Sequence, residues 1–113
     1  EETLRQLVEE NDGSRSLGEV ALVPHQSPIS QSGIIFFNTL FDENASNHLA
    51  LGQAYASSVE GGTKMSQEEL NEAGLNRSNV HVDFMVGNAE MDIDGLKEDG
   101  TQIAIFRNGE WAF

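Results

Sequence analysis

The chain predicts an α+β fold: a mixed or antiparallel sheet, a few short helices, and β-hairpins towards the C-terminal end. Three observations carry that prediction. Residues Val80–Val86 alternate with the two-residue period of a strand. Asp94-Gly95 and Asn108-Gly109 are turn pairs of tight hairpins, because both central positions of such turns favour positive φ. The helical signals are short: an apolar stripe at Leu4, Leu7 and Val8, and a Ser66-x-x-Glu69 capping box.

In chain order, the spacing predicts a helix near 2–10 that stops at Asn11-Asp12-Gly13-Ser14, since Asn and Gly accept the left-handed conformation that terminates helices. Leu17–Val23 reads as a strand ended by Pro24, which supplies no ladder donor, and Glu19 sits mid-strand on the face of Ala21 and Val23. His25–Gly33, rich in Ser, Gln, Pro and Gly, reads as a loop. Ile34–Phe37 is apolar and β-forming and is expected to be another strand, although so short a run fixes neither period. Asp42-Glu43-Asn44 supplies capping types for a helix over Ala45–Ser58, on which His48, Leu51, Gly52 and Tyr55 would share a face. Gly61-Gly62 breaks the chain, and Ser66 starts a short helix that ends near Gly74. Over Val80–Val86, His81, Asp83 and Met85 point one way and the valines and Phe84 the other. Turn residues at 94–95, 99–100 and 108–109 then divide the tail into hairpins.

Composition narrows the function. The 113 residues suffice for one domain or a large piece of one. No cysteine is present, so neither disulfides nor a thiolate zinc site is possible, and a metal would have to be held by carboxylates, imidazoles and carbonyls. Six Lys and Arg against nineteen Asp and Glu give a net charge of −13, spread along the chain. That excludes the basic footprint that nucleic acids and anionic membranes require, and leaves cations and cationic substrates open. The apolar run at Ile34–Phe37 is far too short to span a bilayer. A soluble, cytoplasmic protein is expected. The first residue is Glu1 rather than an initiator methionine, and no secretory leader follows, which predicts a fragment of a longer protein.

Five positions could carry metal chemistry. His81-Val82-Asp83 presents two ligand types to one face of a strand, the spacing that two ligands of one site require. Glu19 interrupts an apolar strand, where a buried carboxylate needs a cation or a hydrogen-bonded partner. His48 lies among small and apolar residues. Glu43, five residues earlier, is off its helical face and could meet a shared metal only from the preceding loop or first turn. Taken singly, each also fits ordinary structure: a surface His-Asp pair, the solvated side of an antiparallel sheet, a hydrogen-bonded core histidine, a first-turn carboxylate favoured by the helix dipole. His25 has no partner at ligand spacing and reads as a loop residue. The carboxylates at 90, 92, 94, 98 and 99 lack the glycine and closing glutamate of an EF-hand and read as a solvated turn.

Three segments in order, Gly18-Glu19-Val20-Ala21-Leu22-Val23-Pro24, Phe41-Asp42-Glu43-Asn44-Ala45-Ser46-Asn47-His48-Leu49-Ala50-Leu51-Gly52 and Asn79-Val80-His81-Val82-Asp83-Phe84-Met85-Val86-Gly87, resemble the thermophilic metallo-aminopeptidases of the aminopeptidase T, AmpS and PepS type. The resemblance covers nearly the whole chain. It implies a pair of divalent metal ions, with zinc, cobalt and magnesium as candidates, held by Glu19, Glu43, His48, His81 and Asp83, and places Tyr55 in the site. It further implies peptide substrates, a homodimer in the full-length protein, and a role for residues 1–113 as the C-terminal metal-binding portion of a larger catalytic domain. Members of this family are several times longer and take another glutamate ligand from a segment preceding the position of Glu1. A chain without that segment is expected to bind metal weakly and to be inactive alone. A rival reading, from the −13 charge, is a non-catalytic acidic module that binds cations or docks a basic protein.

Overall fold

A computed structural model describes residues 2–113, which group into two compact units, 2–20 with Leu49–Phe84 and Ala21–His48 with Met85–Phe113. The α+β expectation holds: four short α-helices, interspersed with three single 3-10 turns, and two three-stranded sheets among the described residues.

The first unit opens with α1 (Glu2–Glu10). Its terminal carbonyls are satisfied locally: the Asn11 side-chain amide donates to the Leu7 carbonyl at 2.9 Å and the Ser14 hydroxyl to the Val8 carbonyl at 2.7 Å. The chain then enters β1 (Leu17–Ala21), β2 (His48–Gly52) and β3 (His81–Met85), which form a sheet in the order β1-β2-β3. Strands β2 and β3 run antiparallel, since Gln53 N–H donates to Val80 at one end and Gly87 N–H to Asn47 at the other. Two glycines let the main chains close up. A Cβ on Gly18 would fall 2.4 Å from the Gly52 carbonyl oxygen, and one on Gly52, where φ is +100°, would fall 2.1 Å from that of Val80. Between β2 and β3, α4 (Gln67–Glu72) carries the expected capping box, with Glu69 N–H donating to the Ser66 hydroxyl at 3.2 Å and Ser66 N–H to the Glu69 carboxylate at 3.3 Å. The buried apolar side chains here are small or single: Ala50, Ala54 and Leu70.

In the second unit, Pro28 occupies the first turn of α2 (Pro28–Ser32), whose N-terminus is capped by the Ser27 hydroxyl and whose end is Gly33 in the left-handed region. After α3 (Thr39–Asp42), three further strands form an antiparallel meander, β4 (Ile93–Leu96), β5 (Gln102–Arg107) and β6 (Glu110–Trp111). Phe106 is fully buried in it and meets the Trp111 ring edge-on at 4.6 Å. Asn108 and Gly109 both have positive φ, as a tight β5–β6 hairpin demands.

Several local expectations are corrected. The helix over Ala45–Ser58 does not form; a 3-10 turn at Glu43–Ala45, strand β2, and a 3-10 turn at Ala56–Ser58 replace it. Burial alternates along His48–Gly52, and ladder pairing overrides the helix propensity of Leu49, Ala50 and Leu51. His48 and Tyr55 therefore share no helix face. Ile34–Phe37 is not a strand: the Asp42 carboxylate takes the N–H groups of Phe36 and Asn38, at 2.8 and 3.1 Å, that a ladder would have used. The stretch read as a loop from His25 contains α2. Strand β1 stops at Ala21, two residues short of Val23, whose N–H goes to the Asn47 side chain. Asp94-Gly95 lies inside β4, because the reversal is made by the loop before Thr101, where Lys97 N–H donates to Thr101 and Gly100 N–H to Lys97.

Replacing Gly52 by Ala puts a methyl into the Val80 carbonyl at a backbone angle that side chains avoid. It should lower stability by about 2 kcal/mol or more, read as a drop in the urea midpoint at unchanged m. An unaltered midpoint would show that β2 and β3 have slack at this crossing.

Candidate metal centre

Glu19 is the third residue of β1, and His81 and Asp83 are the first and third of β3, so the two-residue strand period sends the latter pair to one face. All three belong to the first unit, and their side chains converge. The Nε2 atom of His81 lies 3.1 Å from Asp83 Oδ1 and 3.3 Å from Glu19 Oε2, and carboxylate oxygens of Glu19 and Asp83 lie within 4.8 Å of each other. They are 17, 11 and 28% exposed for His81, Asp83 and Glu19, enough for an ion to enter and little enough for charge to matter.

The other ring nitrogen decides the electrostatics. His81 Nδ1 is 2.6 Å from the Gln53 carbonyl oxygen, which can only accept, so Nδ1 carries a proton. In the neutral ring Nε2 is then a lone pair facing two carboxylates, which are acceptors too. Such a cluster needs a positive centre. Burial by itself pulls the His81 pKa down, but the Gln53 hydrogen bond, the Asp83 carboxylate and then Glu19 outweigh it and hold the pKa above the ordinary value. A proton is one solution. A divalent cation is the other, and the geometry fits it: donors about 2.0–2.2 Å from a tetrahedral zinc stand about 3.4 Å from one another, close to the nitrogen–oxygen separations seen here. The set of one imidazole and two carboxylates suits zinc, cobalt or similar ions.

Tyr55 joins this cluster. Its ring centroid is 5.0 Å from that of His81, inclined by 40°, and the residue is 48% exposed. The structure thus brings Glu19, His81, Asp83 and Tyr55 together within the first unit. Glu43 and His48 fall in the second: Glu43 opens the 3-10 turn after α3, and His48, 2% exposed, begins β2 with Nδ1 3.0 Å from the Ser46 carbonyl. His25, also there, is an exposed residue whose Nδ1 lies 3.3 Å from the Ser30 hydroxyl. Of the acidic tail residues, Asp99 accepts from Thr101 N–H in the loop between β4 and β5, as a turn residue does, whereas Asp94 lies inside β4 and pairs across the ladder with Arg107, and Asp92 accepts from Asn108 N–H. Gln53 was not foreseen. No spacing rule marks a residue that acts through its main-chain carbonyl.

The sequence of residues 1–111 matches the family described as thermophilic metalloprotease (M29). The chain belongs to that family. Among its relatives, aminopeptidase PepS of Streptococcus thermophilus is 66% identical over 98% of this chain, and aminopeptidase AmpS of Bacillus subtilis (strain 168) is 64% identical over all of it. A solved structure of wild-type AmpT from Thermus thermophilus is 52% identical and superposes over the whole chain with a TM-score of 0.86. This chain spans 27, 28 and 27% of those three proteins. Family membership implies the use of divalent metal, in agreement with the donors gathered around His81.

Calorimetric titration separates a built site from a diffuse acidic surface. Zinc or cobalt should bind in preference to calcium, and Asp83→Ala should weaken that binding about tenfold or more. A dominant calcium preference, indifferent to Asp83, would point to the acidic-module reading.

Proposed function

We propose that this chain is the C-terminal metal-binding portion of the catalytic domain of a two-metal aminopeptidase, which removes N-terminal residues from peptides. The observation that carries the proposal is the convergence of Glu19 and Asp83 on Nε2 of His81, whose other nitrogen faces the Gln53 carbonyl, in a family whose members include named aminopeptidases. Glu19, Glu43, His48, His81 and Asp83 are the assigned ligands, for a pair of zinc, cobalt or magnesium ions.

Divalent ions held by these residues would supply a bound water of lowered pKa, a Lewis acid for the scissile carbonyl and an anchor for the free amino group of the substrate. The chain's own residues prepare for this. The Gln53 carbonyl keeps the His81 proton on Nδ1 and leaves Nε2 as the donor. The Glu19 and Asp83 carboxylates supply negative charge against the cation. Tyr55, lying against the His81 ring and half exposed, has a phenol able to donate a hydrogen bond to the oxyanion of the tetrahedral intermediate.

The proposal extends to a homodimeric, cytoplasmic parent enzyme, and to a further glutamate ligand supplied from outside residues 1–113. Among the described residues no helix is long and apolar enough to cross a membrane.

In the full-length protein, His81→Ala or Asp83→Ala should abolish turnover and cut metal content together; unchanged activity in either variant would sink the ligand assignment. The 113-residue polypeptide should release no amino acid from peptides. Metal-dependent release at a rate stoichiometric with the polypeptide would show that the site is complete without the missing glutamate.

A further inference from the structure

We infer that Gln53 is the positioning residue of this centre, its carbonyl setting the His81 tautomer while its side chain and Asn76 hold that carbonyl in place; the inference rests on His81 being a metal ligand.

Both ends of the Gln53 side chain and both of its main-chain groups are engaged. Its N–H donates to the Val80 carbonyl at 2.7 Å and its carbonyl accepts from His81 Nδ1 at 2.6 Å. Its side-chain oxygen accepts from Ser78 N–H at 2.9 Å, and its side-chain nitrogen donates to the Ala54 carbonyl at 2.6 Å. Asn76 secures the flanking peptides. Its side-chain nitrogen donates to the Gly52 and Gly13 carbonyls at 2.7 and 2.8 Å, and its own carbonyl accepts from Ala54 N–H at 3.0 Å. All of these residues lie in the first unit.

The need for such bracing follows from the chain path. Strand β2 ends at Gly52, whose φ of +100° turns the chain out of the ladder. A carbonyl just past a strand end is ordinarily free to swing towards water. A free imidazole exchanges its proton between two nitrogens, and the partner of the non-ligating nitrogen selects the tautomer and the ring orientation. Here that partner is a main-chain oxygen, so no substitution at position 53 removes it directly. What a substitution removes is its fixity. The bonds from Gln53 to Ser78 and Ala54, with those from Asn76, convert a loop carbonyl into a fixed acceptor.

The test uses the full-length enzyme labelled with 15N-histidine, and compares wild type with Gln53→Ala, Gln53→Glu and Asn76→Asp. In the metal-free wild type, under conditions basic enough to deprotonate the ring, long-range 1H–15N spectra should show the Nδ1–H tautomer of His81 alone. Gln53→Ala should mix the tautomers and weaken zinc binding, measured by chelator competition, by about 10–100-fold. Gln53→Glu keeps an oxygen for Ser78 N–H and should recover part of both signals. Asn76→Asp, which loses both donated bonds, should act like Gln53→Ala and serves if that variant does not fold. An Nε2–H tautomer in the wild type, or wild-type tautomer and affinity in Gln53→Ala or Asn76→Asp, overturns the inference. His81→Ala separates the two levels: undiminished zinc affinity there refutes the ligand reading itself, whereas a loss there without a loss in Gln53→Ala refutes only the brace.

Discussion

Three acceptors brought within hydrogen-bonding distance repel one another unless something positive lies among them. That constraint organises the first unit. Once His81 Nδ1–H donates to the Gln53 carbonyl, the remaining nitrogen of the neutral ring and the oxygens of Glu19 and Asp83 form such a trio. In water it would scatter. It persists because each member is mounted on a strand, and strands bonded to their neighbours cannot turn a side chain away without breaking the ladder. A proton on Nε2 would supply the positive centre when the ring is charged, and a cation would supply it otherwise, so under the proposed assignment metal binding would displace a proton from one nitrogen.

The sheet that mounts these groups is held at unusually close quarters by absent side chains. Gly18 faces the Gly52 and Gln53 carbonyls, Gly52 faces the Val80 carbonyl, and Gly13 faces that of Arg77, each at a separation that no Cβ tolerates. With Ala50 and Ala54 as the buried apolar residues around β2, little apolar burial is available to define positions. Main-chain hydrogen bonding and the amide side chains of Gln53 and Asn76 do that instead. Precision at the site is therefore a matter of polar connectivity, in which losing one partner strands another.

How much of this could be read beforehand depended on whether the signal was local. His81-x-Asp83 was legible because a period of two is a property of three consecutive residues, and Glu19 because a charge in an apolar run stands out. The capping box at Ser66 and the Asn108-Gly109 turn were legible for the same reason. Residues 45–58 combine good helix formers with capping types and so predict a helix under His48; only the pairing of β2 with its neighbours in the sheet, a long-range fact, makes His48–Gly52 a strand. Ile34–Phe37 misled in the opposite sense, since its N–H groups are claimed by the Asp42 side chain and its large side chains are left exposed. Asp94-Gly95 carries a hairpin signature, yet the register of β4 against β5 places the reversal further on.

The overall charge and the local trio act at different ranges and should not be merged into one explanation. A net charge of −13 sets a field over the surface that draws cations and free amino groups inward and that salt screens within about 8–10 Å. Much of it is committed elsewhere: Asp92, Asp94 and Asp99 stabilise the tail by capping N–H groups or pairing with Arg107. Glu19 and Asp83, about 3 Å from a partly buried nitrogen, act inside the screening length and through less polar surroundings. The diffuse charge would govern how fast a cation arrives; under the proposed ligand assignment, the two strand-mounted carboxylates and the imidazole would govern whether it stays. Neutralising surface carboxylates far from β1 and β3 would slow capture without changing ion preference, because preference is a property of the donor atoms.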